Sequence, residues 1–170
     1  MKKSVFALAF CASFSLANPL EFDTLSANFT QSVQSEDAKI NYTGDFSATK
    51  EHAVWHYTSP TKKNIFFSFT KVTVIEPDLE QAIITNIKET PNLVAILSDA
   101  KQNKSGAYEA ELDGVKYFIT TQNDAPSQIS YTDKLDNKVV INLQSVRKNE
   151  KIDEKIFAPN IPNHYDIITQ

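Results

Sequence analysis

Histidine is the residue type in this chain with the broadest chemistry, because imidazole can ligate a metal ion or transfer a proton. His52 and His56 are four residues apart, the HxxxH spacing found in some zinc sites, but His164 is distant in the sequence and no cysteine lies near either of them. The single cysteine, Cys11, lies far from them near the amino terminus. The sequence therefore does not predict a metal site.

Carboxylates gather at one proline turn, where Glu76, Asp78 and Glu80 flank Pro77. A pair of them could be imagined as the acid and base of a glycosidase. In an acidic protein, however, exposed carboxylates at a turn are far more common than a catalytic pair. With only three glycines, the chain also offers no phosphate-binding loop and no GxSxG nucleophile elbow. No group of residues indicates an enzyme or a cofactor.

The apolar side chains from residue 53 to 82 carry more information. They alternate with polar ones at a period of two, which is typical of half-buried antiparallel strands, and the prolines lie at strand ends. We expect the side chains that share this alternation to form a continuous concave apolar surface. They are Trp55, Tyr57, Ile65, Phe67, Phe69, Val72 and Val74.

Further strands are predicted over residues 29–33, 40–48, 108–112, 115–121, 129–132 and 139–146, with Asp113-Gly114 as a hairpin turn. A first helix is predicted to begin at the N-cap Asn18, with an apolar stripe made by Leu20, Phe22, Leu25 and Phe29. A second helix is predicted over residues 90–98, with Thr90 as its cap and Pro91 in its first turn. The chain should end in a helical turn and an extended tail. About ten strands must close on themselves or curl, and such a sheet encloses more volume than its side chains fill.

The amino terminus has the pattern of a secretory signal peptide. Lys2 and Lys3 precede an apolar run over residues 5–16, and Ser15 and Ala17 suit cleavage after Ala17. An alternative is an acylation box at Cys11, although the run before it is very short. We expect a leader over residues 1–17 and one domain over 18–170, in the periplasm. That domain would have 15 basic and 21 acidic residues, a formal charge of −6, which disfavours nucleic acid as a partner.

Several short motifs follow one another in a familiar order. They are Ala27-Asn28-Phe29-Thr30-Gln31, Tyr42-Thr43-Gly44-Asp45-Phe46, Trp55-His56-Tyr57 with Pro60, and Glu76-Pro77-Asp78-Leu79-Glu80-Gln81. In this order and spacing the chain resembles the LolA family of outer-membrane lipoprotein carrier proteins, over nearly the whole segment after the leader.

The resemblance implies an incomplete, unclosed antiparallel β-barrel of about ten to eleven strands with a helical lid over an apolar cavity. It implies a monomeric, non-catalytic chaperone that binds the acyl chains of lipoproteins. Its partners would be an ABC-type release complex in the inner membrane and an outer-membrane acceptor. Beyond the concave surface above, we expect the lipid-binding cavity to include Leu79, Leu93, Val94, Leu97, Tyr117, Ile119 and Ile141.

The chain departs from the family pattern near Lys50, where Glu51 and His52 stand in place of an arginine that helps to hold the lid shut in many members. Ala53 replaces an aromatic residue two positions before the tryptophan. Two other functions remain open. One is a periplasmic half-barrel that senses lipid as a regulatory signal, and the other is an enzyme acting on envelope lipid or glycan.

Overall fold

The computed structural model describes residues 18–86 and 93–170, and within them twelve strands form a single sheet. One α-helix, α1 (Leu93–Asp99), and two short 3-10 turns, Pro77–Leu79 and Glu154–Phe157, complete the described elements. The strands are β1 (Thr24–Gln34), β2 (Lys39–Thr49), β3 (Ala53–Ser59), β4 (Lys63–Phe67), β5 (Lys71–Glu76), β6 (Gln81–Asn86), β7 (Lys101–Gln102), β8 (Tyr108–Leu112), β9 (Val115–Gln122), β10 (Ala125–Thr132), β11 (Lys138–Lys148) and β12 (Asp166–Thr169).

The sheet is an unclosed barrel. Its strand order is β12-β6-β5-β4-β3-β2-β1-β11-β10-β9-β8-β7, and among the described residues the edge strands β12 and β7 do not pair. Every neighbouring pair is antiparallel except β6 and β12, which run parallel. The predicted mainly-β, incomplete barrel is confirmed. Its strand count exceeds the expectation because two short edge strands, β7 and β12, extend the sheet.

The predicted amino-terminal helix is wrong. Asn18 does cap a turn, since its Oδ1 accepts a hydrogen bond from the Leu20 N–H at 3.0 Å. The chain then becomes extended, and Leu25, Ala27 and Phe29 alternate as buried residues of β1. β1 pairs with β2 on one side and β11 on the other along its whole length. Two ladders of backbone hydrogen bonds stabilise this strand, so tertiary pairing overrides the local helix signal.

Gly44 allows β2 to approach the backbone of β3 and the ring of Phe29 closely. A Cβ at this position would lie 1.9 Å from the carbonyl oxygen of His56 and 2.9 Å from the ring of Phe29. Any larger residue would therefore force β2 away from β3, which explains the glycine of the YxGxF motif. The Asp113-Gly114 turn is confirmed as well, because both residues have positive φ and Leu112 pairs with Val115.

Two separate apolar cores lie on opposite faces of the sheet. The larger, inner core fills the curl of the sheet and includes Leu93 and Leu97 from α1. The smaller, outer core joins Val54 and Phe66 to Phe157 of the carboxy-terminal segment. That segment also contains the helical turn expected from the sequence, and it then returns to the sheet as β12.

The predicted central helix is confirmed as α1, and its predicted start at Thr90 and Pro91 lies outside the described residues, as does the predicted leader over residues 1–17.

Candidate lipid-binding site

The register of β3, β4 and β5 places the predicted apolar wall on one face. Trp55 lies opposite Ile65, and Ile65 lies opposite Val74. Phe67 lies opposite Val72 on the same strands. Directly opposed residues of antiparallel strands project to the same side of a sheet. Five of the predicted residues therefore form two adjacent apolar rows across the inner face.

Aromatic rings make the centre of this wall rigid. The ring centroid of Phe29 lies 4.9 Å from that of Trp55 and 5.0 Å from that of Tyr57, both in edge-to-face geometry. Phe46 packs on the other side of Trp55 at 4.4 Å. Such pairs are stabilising beyond the area they bury, and stiff rings do not collapse to fill a neighbouring gap. The wall can therefore border an open space without closing over it.

That open space is a partly enclosed cavity of about 160 Å³ between the inner face and α1. Its lining is mostly apolar. Two of its residues come from α1, and the others come from β1, β3, β4, β9, β10 and β11. The cavity is lined by Gln31, Trp55, Tyr57, Ile65, Phe67, Leu93, Ile96, Tyr117, Ile129, Tyr131 and Ile141.

Seven of the residues proposed from the sequence lie in this lining: Trp55, Tyr57, Ile65, Phe67, Leu93, Tyr117 and Ile141. Four further lining residues were not proposed, namely Gln31, Ile96, Ile129 and Tyr131. Gln31 shares the alternation of Phe29, and Ile129 and Tyr131 oppose Ile119 and Tyr117. The period-two pattern could have found these three. Gln31 was missed because its side chain is polar, and Ile129 and Tyr131 because they lie on β10, a strand from which no cavity residue was predicted.

The other proposed residues lie elsewhere. Phe69 and Leu79 are in turns and are 80% and 63% exposed, because the alternation ends with β4 and β5. Val72 and Val74 continue the inner face beyond the cavity and are half-buried. Leu97 and Ile119 are completely buried in the inner core. Whether any of these residues contacts a ligand stays a prediction.

Val94 lines a second, larger pocket, of about 580 Å³, on the other side of α1. Leu20 and Phe22 of the amino-terminal turn form its apolar part, and Lys50 lies at its edge. The Lys50 ammonium pairs with the Asp23 carboxylate at 2.5 Å, and the hydrogen bond to Asp23 raises the pKa of Lys50. Both side chains are largely exposed, so the pair contributes little to stability.

One end of the cavity is polar. The Tyr57 hydroxyl donates a hydrogen bond to Oε1 of Gln31 at 2.9 Å. The Lys63 ammonium lies 4.5 Å from the ring centroid of Tyr57 and 5.0 Å from that of Tyr42, and burial lowers the pKa of Lys63. Burial raises the pKa of Tyr57, and raises the pKa of Tyr131 to about 12. These tyrosines are neutral hydrogen-bond donors at physiological pH.

The histidines and carboxylates take structural positions. His56 bonds to Asp45 at 2.9 Å, His52 stacks on Phe157, and His164 packs against Tyr165. Within residues 18–86 and 93–170, no three His, Cys, Asp or Glu side chains gather closely enough to hold a metal ion. In the same part of the chain, no helix is both long enough and apolar enough to cross a membrane.

Glu76, one of the carboxylates at the proline turn, accepts a hydrogen bond from Nε2 of Gln81 at 2.6 Å. Asp78 and Glu80 are exposed to solvent.

The fold and the cavity define a half-barrel protein with an apolar interior. Residues 21–118 match the family model of LolA, the outer membrane lipoprotein carrier protein. An outer-membrane lipoprotein carrier protein from Campylobacter jejuni is 36% identical over 168 residues, covering 99% of both chains. A protein of the same name from Wolinella succinogenes is 29% identical over 147 residues, covering 85% of this chain and 86% of the relative.

A solved structure of a LolA superfamily protein from Nitrosomonas europaea has the same fold, with a TM-score of 0.50 at 13% identity. The superposition covers 84% of this chain and 94% of that one. The chain belongs to the LolA family of outer-membrane lipoprotein carrier proteins. The resemblance carried by the sequence motifs is thereby confirmed.

Proposed function

We infer that this protein is a periplasmic chaperone that holds the acyl chains of lipoproteins in the cavity and carries them to the outer membrane. The observation that carries the proposal is the apolar space between the aromatic wall and α1, in a chain of the lipoprotein carrier family. A protein with this role would act as a monomer. It would receive lipoproteins from an ABC-type complex in the inner membrane and deliver them to an acceptor in the outer membrane.

The size of the cavity requires the protein to open when it binds. Pockets that enclose a ligand of drug size have volumes of roughly 300–1,000 Å³, whereas this cavity has about 160 Å³. We propose that α1 is the element that moves, because its seven described residues depend on packing for their stability. Leu93 and Ile96 line the cavity from this helix. Movement of α1 as a lid would join the cavity to the space beside Leu20 and Phe22.

The affinity for acyl chains must be limited. Complete dehydration of one chain of ~14 methylenes would contribute roughly 11 kcal/mol, so a carrier that buried several chains fully would not release its cargo. Incomplete burial against stiff aromatic and β-branched walls meets this need. An apolar fluorescent probe should therefore bind with a micromolar Kd, corresponding to about −8 kcal/mol.

The proposal is tested by purifying the protein from a native periplasm and identifying what it carries by mass spectrometry. Intact triacylated lipoproteins support a carrier. Free lipid without lipoprotein would instead favour a lipid-sensing half-barrel, and the absence of both would contradict binding in the cavity. The variant Phe67→Glu is the matched control. A charge on the cavity wall should prevent the binding of any cargo that occupies the cavity, so this variant should be purified without it.

A further inference from the structure

Four polar side chains face a cavity that is otherwise apolar. Gln31, Tyr57, Tyr117 and Tyr131 lie together in its lining. The ring centroids of Tyr117 and Tyr131 are 4.8 Å apart, and the nearby Tyr131 is a secondary cause of the raised pKa of Tyr57. Gln31 joins the group through its hydrogen bond with Tyr57. The polar groups thus come from β1, β3, β9 and β10 and converge on one part of the lining.

The hydrogen bonds of this cluster leave donors in excess. Because Oε1 of Gln31 accepts from Tyr57, its Nε2 amino group remains as a donor. Among the residues that the structure describes, no group accepts a hydrogen bond from the Tyr117 or Tyr131 hydroxyl, and no buried side-chain N or O atom is left unpaired. These hydroxyls are therefore not fully enclosed by protein, and both tyrosines line the cavity. Burial raises the pKa of both tyrosines, so both hydroxyls keep their protons.

A group of donors inside an apolar cavity favours a ligand that brings a hydrogen-bond acceptor, because a polar group left unpaired there costs free energy. A hydrocarbon chain offers no acceptor, whereas the carbonyl oxygen at the head of an acyl chain offers two lone pairs. We propose that Gln31, Tyr117 and Tyr131 form a subsite that binds the carbonyl oxygen of an acyl group. The proposal rests on the proposed function, since it requires an acyl chain in the cavity.

The distribution of apolar and polar residues in the lining also predicts how this ligand is oriented in the cavity. Ile65, Phe67, Leu93 and Ile96 provide the apolar part for the chain, and the tyrosines provide the part for its carbonyl group. The carbonyl could belong to an ester-linked acyl chain, as in a lipoprotein, or to a free fatty acid. Lys63 on the Tyr57 ring would attract a carboxylate, while the neighbouring Glu76 would repel it. The two sources can therefore be separated by experiment.

The test uses the double variant Tyr117→Phe/Tyr131→Phe, which removes two hydroxyl groups and keeps both rings. Diphenylhexatriene, a hydrocarbon probe without oxygen, is titrated into both proteins. It is then displaced with methyl dodecanoate and with dodecanoate. The double variant should bind the probe at least as tightly as the unchanged protein, because the hydrocarbon then leaves fewer polar groups unpaired, and should lose about tenfold in affinity for the acyl ligands. A greater loss for the ester identifies an ester-linked chain, and a greater loss for the acid identifies a fatty acid.

Tyr165→Phe is the matched control, because Tyr165 packs on the outer core away from the cavity. Its affinities for all three compounds should equal those of the unchanged protein. Equal affinity of the double variant for the acyl ligands would overturn the subsite, while normal probe binding would leave the proposed function standing. Failure of the unchanged protein to bind any of the three compounds would overturn both.

Discussion

The strands β3 to β6 separate two apolar regions that differ in how they are filled. On the outer face, Val54, Phe66 and Ile75 are buried beneath the carboxy-terminal segment. On the inner face, Ile65 and Phe67 border a cavity and stay half-buried. Neighbouring residues of one strand thus serve a filled core and an unfilled one. Apolar character alone therefore does not mark a binding surface, because the two regions differ only in what covers them.

The largest expected effect separates Phe66 from Phe67. Phe66→Ala should lower the free energy of unfolding by about 3 kcal/mol, because a fully packed ring leaves a void when it is removed. Phe67→Ala should lower it by only about 1 kcal/mol, because the ring already borders open space. Urea denaturation followed by circular dichroism measures both values. Equal losses would mean that the inner face is packed as tightly as the outer one.

The buried tyrosines of the inner face predict a loss of stability in alkali. The pKa of Tyr131 is raised by burial from its ordinary value near 10 to about 12, so the unfolded chain loses this proton first. The contribution of protonated Tyr131 to the free energy of unfolding is fully present below pH ~10 and is lost as the pH rises to ~12. The loss amounts to about 2 kcal/mol.

Unfolding by urea at several pH values between 9 and about 11.5 should show this loss, and Tyr131→Phe should reduce it. Tyr165→Phe on the outer face should leave the loss as it is in the unchanged protein. If Tyr131→Phe and the unchanged protein lost the same stability in alkali, burial would not be raising the pKa of Tyr131.

The smallest effect concerns the two segments that cover the sheet, α1 on the inner face and the turn Glu154–Phe157 on the outer face. The amide hydrogens of α1, which covers the inner face, should exchange roughly tenfold faster than those of β1, whose two neighbouring strands protect it. Diphenylhexatriene should slow exchange in α1, while the residues of Glu154–Phe157 on the outer face should not change. Hydrogen-exchange mass spectrometry measures both segments. Equal protection of α1 with and without the probe would mean that this helix is not a movable lid.

Much of the inner wall could be predicted because alternation in an antiparallel sheet fixes which side chains share a face. Trp55, Ile65 and Phe67 follow directly from it. Phe69 does not, because the pattern cannot show that β4 ends at Phe67 and turns. The outer core was not predicted either. Phe66 lies in the polar phase of the alternation, and only the return of the distant Phe157 segment buries it.

The conformation of the amino-terminal segment could not be predicted either, because it too depends on distant parts of the chain. Asn18 and Pro19 are good helix-start residues, and the local turn does form. The two strands that pair with β1 come from residues 39–49 and 138–148, so the reason for its extended form is not local. Gln31 could not be predicted because a polar side chain gives no sign of an apolar cavity, whereas Tyr131 lies on β10, a strand from which no cavity residue was predicted.

The central claim, that the inner face is the binding surface, is tested most directly by placing one charge on either side of the end of β4. Phe67 lines the cavity, whereas Phe69, two residues away, is 80% exposed. Diphenylhexatriene is titrated into Phe67→Glu and Phe69→Glu, with circular dichroism to confirm that both are folded. We predict that Phe67→Glu weakens binding at least about tenfold and that Phe69→Glu leaves the affinity unchanged. Equal affinity in two folded variants, or a loss in Phe69→Glu alone, would contradict the claim.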